Sequence, residues 1–147
     1  MEIKKVTSLD VELLAPLFDA YRVFYEQESD LASARKYIEE RLTNNESIIF
    51  MAKNSQEEVI GFTQLYPSFS SISLQRTWIL NDLYVLESER GNGVGRMLIQ
   101  AATDFARGTG AKGLSLETAH DNYNAQGLYE SQGFVRDSEF YSYFLTL

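Results

Sequence analysis

Between Asp10 and Tyr25 apolar residues return at Leu13, Leu14, Leu17, Phe18, Tyr21, Phe24 and Tyr25, the three-and-four spacing of one helix face. Thr7 and Asp10 ahead of this face resemble a capping pair. The polar run Glu26-Gln-Glu-Ser-Asp30 breaks the rhythm. Ser29 or Asp30 is placed to cap a second helix through about Leu42, with Leu31, Ala34, Ile38 and Leu42 turned inward. Residues 2–6, 47–53 and 59–66 read as strands, the last two joined by a hairpin turn at Asn54-Ser-Gln-Glu57. Pro67 has no N–H to donate and is expected to end the third strand, leaving 68–73 as a polar loop. A long strand follows over 76–86. The helix over 95–107 closes on a basic last turn and Gly108. Residues 113–118 read as a strand, and 123–132 as a short helix stopped by Gly133. The aromatic and β-branched stretch 134–147 predicts one or two closing strands. The order βααβββαβαβ(β) is mixed α/β, without repeat or linker, and predicts one domain over residues 1–147.

The run Arg90-Gly91-Asn92-Gly93-Val94-Gly95-Arg96 stands between the long strand and the helix after it. Alternate glycines permit positive φ, so successive N–H groups can turn inward as an anion nest. The helix adds its unpaired N-terminal donors and the positive end of its dipole. The result suits a pyrophosphate. A Walker loop is excluded, since no Gly-Lys-Ser/Thr follows, and Gly-x-Gly-x-Gly is not the dinucleotide spacing Gly-x-Gly-x-x-Gly.

The spacing Arg90-x-x-Gly93-x-Gly95 resembles the acetyl-CoA pyrophosphate loop of the GNAT superfamily of N-acetyltransferases. A second block, Asn122-x-x-Ala125-x-x-Leu128-Tyr129-x-x-x-Gly133-Phe134, is similar to the downstream motif of that family, and the order of the two agrees. The resemblance spans essentially the whole chain, most strongly 78–134. It implies an α/β fold with a central mixed sheet, splayed after the fourth strand and flanked by helices. It also implies acetyl-CoA as cosubstrate, with no metal, and direct acetyl transfer to an acceptor amine.

Residue by residue, the resemblance implies that Arg90, Gly91, Asn92, Gly93, Val94, Gly95 and Arg96 hold the pyrophosphate. It implies that backbone groups of Leu83 and Val85 bind pantetheine, that Asn122 contacts CoA, and that Tyr129 protonates the departing thiolate. Asn122 reads equally as a helix cap. Several relatives carry an acidic pair before the position of Leu83, where this chain has Asn81-Asp82. Asn81 cannot take a proton but can hold a water. Asp82 is a candidate for proton relay or for binding a cationic acceptor, and reads as well as a structural carboxylate. Because adjacent strand residues face opposite sides, only one of the two is expected to point into the site. Glu26 and Glu28, with Asp30, lie on the turn that the resemblance places in the acceptor wall, and read first as a solvated loop with a helix cap. Tyr25, Tyr66, Trp78 and Phe69 either line that pocket, where aromatic faces suit an ammonium group, or pack in the core. His120, the only histidine, reads as a surface residue before it reads as a base.

Composition narrows the partners. Thirteen basic against 21 acidic residues give −8, which argues against nucleic acid and is compatible with a cationic acceptor. With no cysteine, disulfides, thiolate metal sites and a cysteine acetyl-enzyme are excluded. No apolar run reaches membrane-spanning length, and Met1-Glu-Ile-Lys-Lys-Val lacks a signal-peptide core, so no membrane partner and cytoplasmic residence are the expectations. The preferred acceptor is a small-molecule primary amine: an amino acid, polyamine or aminoglycoside-like compound. The alternatives are a protein or peptide lysine (histone-like) acetyltransferase and a catalytically silent acetyl-CoA sensor. Phe140, Tyr141, Tyr143 and Phe144 read as core strand or as a surface for strand exchange, so a homodimer is also kept as an expectation.

Overall fold

The computed structural model describes residues 1–147, and the chain divides into two compact units, 1–117 and 118–147. The first unit is built on a five-stranded sheet in sequence order: β1 (Glu2–Lys5), β2 (Ile48–Lys53), β3 (Val59–Ser70), β4 (Gln75–Val85) and β5 (Leu114–Ser115). The first four strands run antiparallel, and β5 joins β4 in parallel. Two helices, α1 (Val11–Phe24) and α2 (Leu31–Thr43), lie between β1 and β2 in the chain, and α3 (Val94–Gly108) lies between β4 and β5.

The expected helix faces are the buried ones. Leu14, Leu17 and Phe18 of α1 and Ala34 and Ile38 of α2 share a core with Ile49, Met51 and Phe62. Val94 and Leu98 of α3 pack with Ala52 and Ile60 on the other face. Alternation along the strands therefore assigns each face its own helical cover, as a two-sided sheet requires. At Gly61 a Cβ would lie 3.1 Å from the Tyr84 carbonyl oxygen and 3.2 Å from methyl carbons of Val94 and Leu98, so only glycine lets α3 approach β3 this closely. Thr7 and Asp10 form a reciprocal capping box on the 3-10 turn that opens α1. Asp30 caps α2 through the Ser33 N–H.

Pro67 does not end β3, which runs on to Ser70 with Pro67 opposite Trp78. The reason lies in the direction of the ladder. The Trp78 N–H points away from β3, to the Gly113 carbonyl oxygen at 3.0 Å, so Pro67 and Trp78 form a non-hydrogen-bonded pair. The donor that Pro67 lacks would point toward β2, whose last pair is Ile48 with Leu65. Nothing in the ladder is lost.

The sheet opens where the site lies. β5 pairs only with Trp78 and Ile79, so β4 from Leu80 to Val85 is bonded to β3 on one side and has no strand on the other. A register shift at Gln64/Leu65 sets Gln64 against Asp82 and Leu65 against Leu80, leaving Asn81 as the extra residue of a β-bulge.

The second unit contains α4 (Tyr123–Ser131), capped by the Asn122 side chain through the Ala125 N–H at 3.2 Å. Gly133, at φ 98°, ends it. Residues 134–147, expected as closing strands, form no ladder within this unit. A strand is defined by its partner, and composition alone supplies none.

Candidate active site

The glycine loop is pinned at its first residue. Arg90 Nε donates to the Val85 carbonyl oxygen at 2.9 Å, and its guanidinium carbon lies 5.3 Å from the Phe24 ring centre and 5.6 Å from that of Tyr84. One side chain thus ties the loop to the end of β4 and to α1. Beyond it Gly91 and Gly93 both stand at φ 81°, and no heavy atom lies within 4 Å of where their Cβ atoms would be. Gly93 is the N-cap of α3 in the left-handed region and has no side chain to cap with. The first-turn donors of a helix lack intrahelical partners. Two left-handed glycines with open space beside them form a cradle that fits a pyrophosphate. Gly95 already lies inside α3, and Val94 is buried beneath it. Leu83 and Val85 turn their side chains into the α3-side core, which leaves backbone groups at the open edge of β4.

The other face of β4 carries a polar cluster in an apolar setting. Asp82 is 7% exposed. Its Oδ1 accepts from Tyr21 Oη at 2.8 Å, and its Oδ2 from Gln64 Nε2 at 2.8 Å and Asn81 Nδ2 at 3.1 Å. Its carbonyl oxygen accepts from Thr63 Oγ1 at 2.8 Å. Asn81 is exposed and Asp82 buried, yet at the bulge their side chains meet. Tyr21 is ringed by Tyr25, Phe62 and Tyr84, with centroids 5.1, 5.3 and 5.6 Å away. Tyr66 meets the Tyr37 hydroxyl at 2.6 Å. Burial first, then this bond and the Asp82 charge, hold the Tyr66 proton well above the usual tyrosine range, so Tyr66 stays a neutral phenol.

The predicted acceptor-wall residues divide. Tyr66 and Asp82 are brought to the same face of the sheet, and Tyr25 joins their aromatic surroundings through Tyr21. Glu26 and Glu28 are exposed on the connection from α1 to α2. That connection is well tied: Asp19 accepts from Ser29 Oγ at 2.6 Å and from the Asp30 N–H at 2.8 Å. These bonds, the Ser29 one first, keep the Asp19 carboxyl below its ordinary value. Glu26 holds φ 65° as the left-handed residue after α1, where glycine is usual. Trp78 is not brought to the cluster. It is buried against α3, with its ring 5.3 Å from Phe105 and Nε1 donating to Thr109 Oγ1 at 3.0 Å. Phe69 is exposed near the β3–β4 hairpin under Arg76. Tyr21 and Gln64 were not singled out from the sequence: Tyr21 reads as one more apolar helix position, and Gln64 as a polar interruption in a strand.

In the second unit Asn122 acts as the cap of α4, and the Tyr129 ring lies 6.0 Å from that of Phe134. His120 is exposed, and its carbonyl oxygen accepts from Gln126 Nε2. No three His, Cys, Asp or Glu side chains are grouped to hold a metal ion, and no helix is long and apolar enough to cross a membrane.

A sequence model of the acetyltransferase (GNAT) family matches residues 14–134, on both sides of the boundary between the units. The chain belongs to the GNAT family. This acetyltransferase is 46% identical over 147 residues to the uncharacterized N-acetyltransferase YhfO of Bacillus subtilis, with 100% of this chain and 98% of the relative covered. It is 37% identical over 134 residues to a probable acetyltransferase of Haemophilus influenzae, covering 91% and 90% of the two chains. The crystal structure of a probable acetyltransferase superposes on it with a TM-score of 0.95 at 47% identity, covering 100% of this chain and 98% of the other. The open mixed sheet with helices on both faces is the fold of this family, and its members use acetyl-CoA as cosubstrate. The chain is an N-acetyltransferase.

Proposed function

We propose that residues 1–147 act as one acetyltransferase domain that moves the acetyl group of acetyl-CoA directly to the primary amine of a small cationic molecule. An amino acid, polyamine or aminoglycoside-like compound is the acceptor class. The observation that carries this reading is Asp82: a buried carboxylate among tyrosines, beside the open edge of β4. A carboxylate framed by aromatic rings suits an ammonium group.

Acetyl-CoA supplies the activated acyl carbon as a thioester. Gly91 to Arg96 hold its pyrophosphate, the backbone of Leu83 and Val85 receives its pantetheine arm, and Asn122 is a further residue assigned to CoA. The Val85 carbonyl oxygen, which already accepts from Arg90, keeps a second lone pair for a new donor. An alkyl amine of pKa about 10.4 is neutral at pH 7 in roughly four parts in ten thousand, so deprotonation costs about 4–5 kcal/mol. Asp82 draws the ammonium in, and a water held by Asn81 carries its proton out to solvent. The neutral nitrogen attacks the thioester carbon, forming the C–N bond. Collapse of the tetrahedral adduct breaks the C–S bond, and Tyr129 protonates the thiolate. The nitrogen sheds its second proton to water, from which Tyr129 is reprotonated.

The test is release of CoA thiol from acetyl-CoA against free amino acids, polyamines, aminoglycosides and lysine peptides. Release with one class of small amine is expected. Release with lysine peptides alone would replace the small-amine reading. Acetyl-CoA binding without release on any amine would favour a sensor.

A further inference from the structure

Gln64 is fully buried on β3, directly opposite Asp82. Its Nε2 donates to Asp82 Oδ2, while its Oε1 has no hydrogen-bond partner. The orientation of the amide follows from its neighbour: turned over, it would set an oxygen against the carboxylate. A buried acceptor without a donor is destabilising, and a methionine of similar length would avoid that cost. Packing alone therefore does not account for glutamine at this position.

Its effect on Asp82 does. A carboxylate offers about four acceptor positions. Gln64 and Asn81 fill both on Oδ2, and Tyr21 fills one on Oδ1. One position is left, and the three bonds fix where it points. Resting on the reading of Asp82 as the acceptor's anchor, we propose that Gln64 is a positioning residue for amine binding: by saturating Oδ2 it commits Oδ1 to the ammonium group of the substrate. The substrate class this selects is an alkylammonium that presents an N–H to one carboxylate oxygen. A planar guanidinium needs both oxygens for its paired bonds and is disfavoured.

The experiment uses the full chain with spermidine, L-lysine and kanamycin as probe amines. Gln64→Met, Asp82→Asn and the double variant are compared for amine KM, kcat, acetyl-CoA Kd and Tm. Gln64→Met is expected to raise the amine KM at least tenfold, with acetyl-CoA Kd within twofold and a modestly lower Tm, since the lost donor to a buried carboxylate is offset in part by removal of the unpartnered Oε1. In the Asp82→Asn background the same substitution should change KM less than twofold, since it acts through the carboxylate. Gln64→Glu, of the same length, should also raise KM, and it replaces the Met variant if that does not fold. An unchanged KM in Gln64→Met, or a loss of equal size with and without Asp82, overturns the proposal. So does a Tm fall of more than about 10 °C with KM intact, which would make Gln64 a fold residue. A wild type that transfers to none of the probes overturns the small-amine reading itself, and this inference with it.

Discussion

Tyr21 and Asp82 are 61 positions apart in sequence, and the hydroxyl of one lies 2.8 Å from Oδ1 of the other. This bond joins the helix that walls one face of the sheet to the strand along its open edge. Tyr21→Phe keeps the ring and its aromatic neighbours and removes only the donor. A hydrogen bond to a charged group contributes about 1.5–3 kcal/mol, so urea denaturation should show a stability loss in that range. Steady-state kinetics on the folded variant should show kcat/KM for the amine reduced about tenfold, with acetyl-CoA affinity held. An amine kcat/KM equal to wild type would remove the bond from the acceptor site.

The loop assignment is exposed through Gly93. At φ 81° a β-branched side chain is strained, on the order of 1–2 kcal/mol, yet its Cβ would meet nothing within 4 Å. Gly93→Val should therefore fold, with a slightly lower Tm, while filling the space beside the cradle. Acetyl-CoA Kd by calorimetry should rise at least tenfold. Gly108→Ala, at a glycine without positive φ and with nothing within 4 Å, is the control and should bind normally. Equal affinity in Gly93→Val and wild type would sink the loop as the pyrophosphate site.

Much of this fold is legible because burial is periodic. Leu14, Leu17 and Phe18 repeat at helical spacing, and the glycines at 91 and 93 mark the loop whatever it binds. What escapes is what depends on a partner strand. Pro67 stays in β3 because its missing donor faces past the end of β2, a fact of register rather than of residue type. Asn81 and Asp82 bond side chain to side chain at a bulge that no alternation pattern announces. Trp78 has the composition of a binding-site aromatic, but its place in the register turns it toward Phe105 and α3. Gln64 becomes meaningful only when Asp82 is found opposite. The site residues that a motif marks are visible in one dimension, and those that orient them are not.

Asp10 offers a pH-dependent check on the first turn of α1. Burial alone would raise its pKa, but bonds from Lys4 at 2.8 Å and from the Thr7 N–H at 2.8 Å outweigh this and hold it below the usual aspartate value. A lowered folded-state pKa means stability that is present above the unfolded value, about 3.9, and lost as pH falls through the folded one. Asp10→Ala should cost about 1–2 kcal/mol at pH 7, as a lost cap with its ion pair. The difference from wild type should narrow below about pH 4. Denaturation curves at pH 7 and pH 3 would decide it, and a gap that widens in acid would contradict the sign.

Tyr129 is the group proposed to hand a proton to the thiolate of CoA. Its ring packs 6.0 Å from Phe134, so Tyr129→Phe preserves the apolar surface of α4 and deletes one hydroxyl. General acid catalysis contributes roughly a hundredfold or more, so kcat should fall by about that factor while acetyl-CoA Kd stays within a few-fold. The size of the fall should depend on the leaving group. A thioester of a more acidic thiol departs without help, so the variant should be closer to wild type with such a substrate than with acetyl-CoA. A structural role for the hydroxyl would lower both rates alike, and an undiminished kcat with acetyl-CoA would assign the proton to another donor.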